Sequence, residues 1–310
     1  MTLSERLAAA RGAAATGPVE SRGILRLSGK GGRDFLHRMS TQHLSALPEG
    51  GSAYAAFLDG RGHIVGEGLV VARPDDLLLV TEPEEVAILL PHLRKYLLNA
   101  PVKIDDASSS LGAMAVLGPK GIELAREVVA GAVAGAAGDL TAAATPRRGV
   151  PAVEVIGPPD RLAAVRATLL AAGSADLDAA DLEALRIEEG VARFGADMDG
   201  ERLPMEAALT RDAIHFQKGC YLGQEVVLRA TVRGQIQKGL VQLELPAGAG
   251  PGTLLTVGDK EAGWVTSAAE TSQGRLGLGY LRRAWWREGE RLTTPAGEAI
   301  VRRVVVREPE

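Results

Sequence analysis

Alternating and short continuous apolar runs along the first two thirds of the chain predict strands interleaved with helices. Strands are predicted at 22–28, 53–58, 64–71, 77–81, 102–104, 111–117 and 150–156. Helices are predicted after the glycine turn at 29–32 and at 84–98, 120–129, 160–171 and 178–189. Because strand–helix units occur in two halves of similar size, we predict a duplicated α+β module.

The pattern changes from about residue 235. Short apolar runs at 240–245, 254–257, 263–266, 276–281 and 300–306 alternate with Gly and Pro turns, which is typical of an all-β module and predicts a small barrel. We therefore expect two α+β domains at 18–108 and 109–234, between which the chain is free to cross, and a barrel at 235–310. Residues 1–16 are interpreted as an amphipathic helix or a frayed tail, and Val226–Arg229 as a strand-like run.

Composition and charge argue against nucleic-acid binding, membrane insertion and secretion. Hydrophobic residues make up 46% and charged residues 24% of the 310 positions, as in ordinary globular proteins. A net charge of -4 gives no electrostatic case for nucleic acid or an anionic membrane, so the basic and aromatic run 282–287 is interpreted as a barrel strand end or an interface. No apolar window is long enough to cross a membrane, and the N-terminus lacks the apolar core of a secretion signal. We expect a cytoplasmic monomer.

The densest chemistry lies at Lys218–Glu225, which reads Lys-Gly-Cys-Tyr-Leu-Gly-Gln-Glu and holds the only cysteine of the chain. Lys218 favours the thiolate form of Cys220, and neighbouring glycines can leave the thiol accessible. The alternative is a buried cysteine that acts as a small hydrophobe. One cysteine cannot hold a cubane iron–sulfur cluster, which takes four thiolates. A nucleophilic pair with His215 is a further alternative, although no hydrolase signature surrounds either residue.

The histidines give no metal-site prediction. The five residues stand at positions 37, 43, 63, 92 and 215, without the paired spacing of metal-ligating histidines on a helix. They are interpreted as scattered surface or hydrogen-bonded polar residues, and no metal ligand is predicted.

Glu188 stands near the last turn of the predicted helix 178–189, close to its apolar face. A carboxylate in that position could bind a flat ring with adjacent N–H donors, as a pterin has, or could be an ordinary solvated or ion-paired helix terminus. The arginines at 193, 211, 229 and 233 could bind the carboxylates of an anionic ligand tail, or could be surface charges.

The run at 218–225 resembles the Lys-Gly-Cys-Tyr-x-Gly-Gln-Glu hallmark of the YgfZ family of folate-binding proteins, which are related to the glycine cleavage T-protein (aminomethyltransferase). The stretches 185–190, 194–195 and 203–206 resemble a block that both families share, and 29–41 resembles their first strand–helix unit. The similarity runs from about Gly23 to the C-terminus.

This resemblance implies two related α+β domains and a C-terminal barrel around a central tetrahydrofolate site. It implies that Glu188 holds the pterin, and that the loop at 218–225 forms the facing wall. Of that loop, Lys218 and Cys220 are the candidate catalytic groups. The candidate folate-binding residues are Glu188, Arg193, Tyr221, Gln224, Glu225 and Arg233.

The resemblance further implies an accessory role in assembling or maintaining iron–sulfur enzymes, including tRNA-modifying ones, which would be the protein partners. The Asp-Asp pair of T-proteins is absent, because the matching stretch reads Gly62-His63-Ile64-Val65-Gly66-Glu67. This argues against classical aminomethyl transfer. The alternative hypothesis is a folate-dependent one-carbon transferase or demethylase with an unusual site.

Overall fold

The computed structural model of the chain describes residues 1–98, 100–133, 140–233 and 236–306, and within them the predicted α+β class is confirmed. The helices are α1 Leu3–Gly12, α2 Gly32–Met39, α3 Val86–Lys95, α4 Pro119–Val133, α5 Pro159–Ala171, α6 Ala179–Glu189, α7 Thr210–Ala213 and α8 Gln224–Arg233. The strands are β1 Ala15–Glu20, β2 Gly23–Ser28, β3 Ser52–Leu58, β4 Ile64–Ala72, β5 Asp76–Thr81, β6 Lys103–Asp106, β7 Gly112–Leu117, β8 Thr141–Ala144, β9 Ala152–Gly157, β10 Ala175–Asp176, β11 Lys238–Glu244, β12 Leu254–Val257, β13 Lys260–Thr271, β14 Gly274–Arg282, β15 Arg291–Thr294 and β16 Gly297–Val304.

The first sheet has the strand order β3-β4-β5-β2-β6. Alternate residues of its strands point to opposite faces. One face packs against α2 and α3, where Phe35, Leu36 and Leu89 are fully buried. The other face, with Leu69 and Val80, packs against apolar residues of the second sheet. The two sheets therefore share a buried face in the middle of the molecule.

The second sheet has the order β10-β1-β7-β9-β8. β1 precedes the first sheet in the chain, yet it pairs antiparallel with β7 and parallel with β10. The helices α4 and α5 cover one face of this sheet, and α1 and α6 enclose a further cluster with it. The chain thus starts in the second sheet, builds the first sheet, and returns to complete the second.

The C-terminal strands form a closed barrel in the order β11-β14-β13-β12-β15-β16, which confirms the predicted barrel. Closure leaves no unpaired sheet edge. Buried side chains tie the barrel to α6 and the turn that follows it. Gln242 Nε2 donates to the carbonyls of Ile187 and Glu188 at 2.6 and 2.8 Å. Asp197, which is buried, accepts hydrogen bonds from Arg186 and Ser267 at 2.5 and 2.7 Å.

One predicted element is wrong. The run Val226–Arg229 was expected to be strand-like but lies inside α8. Val227 is fully buried, and Ala230, three residues later, packs against the same apolar cluster. This helical spacing overrides the local β preference of adjacent valines.

The N-terminus forms a helix instead of a frayed tail, because Thr2 and Glu5 make a capping box at the start of α1. The Ala- and Gly-rich tract 130–144, whose composition predicts the end of a helix followed by a loop, ends in β8, and its positions 134–139 lie outside the described residues. In the described part of the chain, no helix is long and apolar enough to span a bilayer.

Candidate functional site

The loop Lys218–Glu225, called here the signature loop, lies against the C-terminal end of α2. The Lys218 side chain is buried and its Nζ donates to the carbonyl oxygens of Ser40 and Gln42 at 2.6 and 2.9 Å, and to that of His37. The ring of Tyr221 lies 4.9 Å from the same nitrogen. Lys218 therefore fixes the loop to the end of α2, and Tyr221 packs against it within the loop.

The three acceptors around Lys218 define its chemical state. The last carbonyls of a helix lack partners within the helix, and three acceptors on one nitrogen need the three N–H groups of an ammonium. Burial lowers the pKa of Lys218 to about 7, and the three carbonyls oppose that effect because they favour the charged form. All three N–H groups are used in anchoring the loop, so a catalytic role for Lys218 stays a prediction.

Cys220 is exposed, so the alternative of a buried small hydrophobe is wrong. The loop is held from the other side by the β3–β4 hairpin. Gly223 has φ +80°, and a Cβ there would lie 2.7 Å from the Asp59 carbonyl oxygen. Only glycine allows this close approach. Cys220 is therefore presented to the outside at a fixed position.

The remaining loop residues contribute to structure. Gln224 Oε1 accepts from the Tyr221 backbone N–H at 3.3 Å, and burial raises the pKa of Tyr221 to about 12. Glu225 forms an exposed ion pair with Arg229 at 2.6 Å, which contributes little to stability. Binding of folate by Tyr221, Gln224 and Glu225 stays a prediction.

His37 and His43, which are close in the sequence, meet the distant His215 beside the signature loop. The ring of His43 lies 5.0 Å from that of His37 and 5.2 Å from that of His215, so the interpretation of these residues as scattered is wrong. His37 Nδ1 accepts from the Leu44 N–H at 3.2 Å, and His215 Nδ1 from the Gln217 N–H at 3.3 Å. Neutral rings with Nδ1 as acceptor carry their proton on Nε2, so both present donors to their surroundings. No group of three His, Cys, Asp or Glu suited to a metal occurs in the described ranges.

Glu188 lies elsewhere, between α1 and the β13–β14 turn. Its Oε1 accepts from the backbone N–H and the hydroxyl of Ser272, each at 2.7 Å, and its Oε2 forms an ion pair with Arg11. Burial alone would raise the pKa of Glu188, but the hydrogen bonds from Ser272 and Arg11 hold it below its usual value. The alternative of an ion-paired helix terminus describes this carboxylate.

The structure does not bring Glu188 and the signature loop together as facing walls of one pocket. Glu188 contacts α1 and the barrel, whereas the loop contacts α2 and the β3–β4 hairpin. The spacing of Glu188 from position 218 along the chain gave no information on this separation. A pterin-holding role for Glu188 stays a prediction, and it requires Arg11 and Ser272 to release the carboxylate.

A cavity of about 180 Å³, called here the central cavity, lies where the two sheets and α6 meet. Ten of its lining residues are glutamates or arginines and come from β1, β4, β9, α6 and the segments around them. They are Glu20, Arg22, Glu67, Glu82, Arg147, Arg148, Glu154, Glu183, Arg186 and Arg193. Of the residues predicted to bind folate, Arg193 lines this cavity. The side chain of Arg233 lies outside the described part of the chain.

Glu67 and Arg147 are the two most buried charged groups of the central cavity. Glu67 Oε2 and Arg147 Nε are buried without a hydrogen-bond partner among the described residues, and the Nη2 of Arg147 lies 3.7 Å from Oε2. The Arg147 guanidinium also lies 5.2 Å from the centre of the Tyr54 ring. Buried polar atoms without partners are costly, so this pair marks the place where a ligand would complete the structure.

Two neighbouring carboxyl groups of this region, those of Glu67 and Glu85, are buried. Burial raises the pKa of Glu67 to about 7 and that of Glu85 to about 8. Glu85 accepts hydrogen bonds from the Glu67 N–H at 2.8 Å and from the Glu82 N–H at 2.9 Å. The two groups titrate as a pair, which holds a proton at pH values below about neutral.

The described residues thus form two sheets joined around a buried polar cavity, together with a closed barrel. Residues 3–218 match the model of the GCVT N-terminal domain. Since this covers more than half of the chain, the protein belongs to that family.

Curated relatives point to two activities within the family. The chain is 29% identical to an aminomethyltransferase of Rubrobacter xylanophilus, over 79% of this chain and 70% of the relative. It is also 29% identical to the mitochondrial iron-sulfur cluster assembly factor IBA57 of Mus musculus, over 85% and 76%. A match to a chloroplastic Arabidopsis thaliana protein, At1g60990, named as a candidate transferase, is 27% identical and covers 84% of this chain but only 63% of that protein.

Among solved structures, the aminomethyltransferase T of Bartonella henselae superimposes with a TM-score of 0.79. The superposition covers 99% of this chain and 90% of that one, at 19% identity. This confirms the T-protein-like fold. A sequence identity of 19% supports a shared fold but not a shared function.

Proposed function

We propose that the protein is a tetrahydrofolate-binding accessory factor for the assembly, repair or maintenance of iron–sulfur enzymes, including tRNA-modifying ones. The observation that carries the folate part is the central cavity with its unpartnered Glu67 Oε2 and Arg147 Nε. The iron–sulfur part is supported by the IBA57 relative and by the exposed, anchored Cys220.

The residues of the central cavity fit the ring system of a folate. A volume of about 180 Å³ is below the ~300–1,000 Å³ of pockets for drug-sized ligands, so it can hold a bicyclic head without its tail. A pterin edge presents adjacent N–H donors, which match a carboxylate acceptor such as Glu67. Arg147 and Arg193 would lie beside the ring and near the opening. Bound tetrahydrofolate would supply the capacity to carry a one-carbon unit.

In this proposal Glu67 takes the acceptor role that the resemblance gave to Glu188. The reason is that Oε2 of Glu67 accepts no hydrogen bond among the described residues and has only the ion pair with Arg147 at 3.7 Å, whereas both oxygens of Glu188 accept hydrogen bonds within the chain. Ligand N–H groups bind a carboxylate better than a carboxylic acid. Binding should therefore strengthen as the pH rises through 7, the region to which burial raises the pKa of Glu67.

Titration calorimetry with tetrahydrofolate tests this assignment. We expect Glu67→Gln to weaken binding at least tenfold, since a hydrogen bond to a charged group contributes roughly 1.5–3 kcal/mol. Glu201→Gln, which alters an exposed glutamate with 84% of its side chain accessible, is the matched control. Glu188→Gln separates the two carboxylates. Unchanged tight binding in Glu67→Gln together with loss in Glu188→Gln would return the role to Glu188.

The iron–sulfur part is tested by complementation of a strain that lacks such a protein, with the activity of a cluster-bearing tRNA-modifying enzyme as the readout. In our proposal the Cys220 thiol contacts a cluster or thiol that a partner brings, since one cysteine cannot hold a cluster by itself. We expect Cys220→Ala to rescue poorly and Ser110→Ala, which alters an exposed serine remote in sequence, to rescue fully. Equal rescue by Cys220→Ala would show that the thiol is not needed.

A folate-dependent transferase is the second candidate. It is favoured by the Rubrobacter aminomethyltransferase relative and by a carboxyl in the cavity whose pKa suits proton transfer near neutral pH. The missing Asp-Asp pair counts against it, because Gly66 precedes Glu67. Formation of methylene-tetrahydrofolate from a small amine donor by the purified protein, abolished in Glu67→Gln, would establish it.

A further inference from the structure

A second cavity adjoins the central cavity on the far side of Arg147. It has a volume of about 170 Å³ and lies between the end of α6, the start of α7 and β16. Arg147 and Val191 line both cavities. A ligand whose head fills the first space could therefore extend into the second without leaving the protein.

Three arginines line this second cavity, namely Arg147, Arg211 and Arg303. Its two acidic residues are already neutralised, since Glu189 pairs with Arg11 at 2.8 Å and Asp212 pairs with Arg211 at 2.7 Å. Arg303 has no acidic partner among the described residues. The uncompensated charge of the cavity is positive, which favours an anionic occupant.

Arg303 is held in place while part of its donor set stays unused. Its Nη2 donates to the Glu188 carbonyl oxygen at 3.3 Å, and its Nε is buried without a partner. Gly190, with φ +72°, makes this approach possible, because a Cβ there would lie 2.6 Å from Nη2. Arg147 likewise keeps a buried, unpartnered Nε. Two guanidinium groups with buried free donors are matched to carboxylates.

We propose that the second cavity binds carboxylates of the γ-linked glutamate tail of a polyglutamylated folate, with Arg303 and Arg147 as the main contacts and Arg211 at the rim. This inference rests on the proposed function, because it assumes the folate ring in the central cavity. The proposed tail site therefore differs from the sequence-based prediction, in which Arg193 and Arg233 bind the tail.

The test compares the dissociation constants of tetrahydrofolate monoglutamate and pentaglutamate at low salt. For the wild type we expect the pentaglutamate to bind about tenfold or more tightly than the monoglutamate, with an advantage that shrinks as salt is added. Arg303→Gln should remove most of this advantage, and it should weaken binding of the monoglutamate, which carries fewer carboxylates, by a smaller factor. Arg302→Gln is the matched control, because Arg302 is next to Arg303 in the chain but contacts Glu244 and Gln273 instead of the cavity.

The outcomes separate this inference from the proposed function. If the monoglutamate binds but the pentaglutamate has no advantage, or if the advantage survives in both Arg303→Gln and Arg211→Gln, the tail site is refuted and the folate proposal stands. If neither form binds the wild type, the folate proposal itself fails and the tail site fails with it. Circular dichroism checks folding, and Arg211→Gln, at an exposed position, replaces Arg303→Gln if that variant does not fold.

Discussion

Replacing Lys218 by methionine tests whether this residue anchors the signature loop. Burial that lowers the pKa from 10.5 to about 7 corresponds to roughly 5 kcal/mol at about 1.36 kcal/mol per unit. Three hydrogen bonds from a charged donor recover roughly 1.5–3 kcal/mol each. The balance gives a net stabilisation of about 2 kcal/mol, so Lys218→Met should lower the free energy of unfolding by about that amount.

The loss should be local as well as global, because the three carbonyls lie at one end of α2. Hydrogen exchange should become faster in the signature loop and after α2, while the first sheet keeps its protection. Urea unfolding gives the global value. Lys30→Met, at an exposed lysine of the β2–α2 turn, is the control and should change stability by less than about 0.5 kcal/mol. Unchanged exchange and unchanged stability in Lys218→Met would refute the anchoring role.

Three other predictions concern stability. Gly223→Ala should cost about 1–3 kcal/mol, because a side chain is strained at φ +80° and would contact the Asp59 carbonyl; Gly60→Ala, with open space around it, should be near neutral, and equal midpoints in urea would contradict the packing. Since burial raises the folded-state pKa of Glu67 to about 7 from 4.5, the wild type should lose roughly 3–4 kcal/mol of stability in urea unfolding as the pH rises from about 4.5 to above 7, at about 1.36 kcal/mol per unit. Glu67→Gln should lose less, because only Glu85, whose pKa burial also raises, still titrates, and an equal loss would contradict the assignment. Asp197→Ala should cost about 1–3 kcal/mol in thermal or urea unfolding, because it removes the buried acceptor that Arg186 and Ser267 share while Arg186 keeps Glu183, and no measurable loss would show that the barrel does not depend on this contact.

Most helices and strands could be predicted from the sequence, because the spacing of apolar residues indicates which face of each segment is buried. The strands from β2 to β7 and the helices α5 and α6 fall within a few residues of their predicted bounds. The strand predicted at Val226–Arg229 is wrong because adjacent valines favour a strand locally. In the folded protein, burial of Val227 against an apolar cluster of residues distant in sequence stabilises a helix instead. Such a contact is not visible in a local window.

The site was harder to predict for the same physical reason. Cys220 could be singled out from its sequence neighbours, but the histidine cluster depends on a contact between His43 and His215, which lie far apart in the chain. Glu67 did leave a signal, as a lone carboxylate in the buried strand β4. Arg147 left none, since nothing around it in the sequence distinguishes it from a surface arginine.

The position of β1 bears on how the chain folds. Residues 23–106 hold every strand of the first sheet and can pair as soon as they are synthesised. By contrast, Ala15 must wait for Leu117 on one side and for Ala175 on the other. Pairings between distant segments form slowly, so the first sheet should be complete while β1 remains unpaired. Although β1 precedes the first sheet in the chain, it would then be among the last strands to pair, and its unpaired edge is where misassembly would begin.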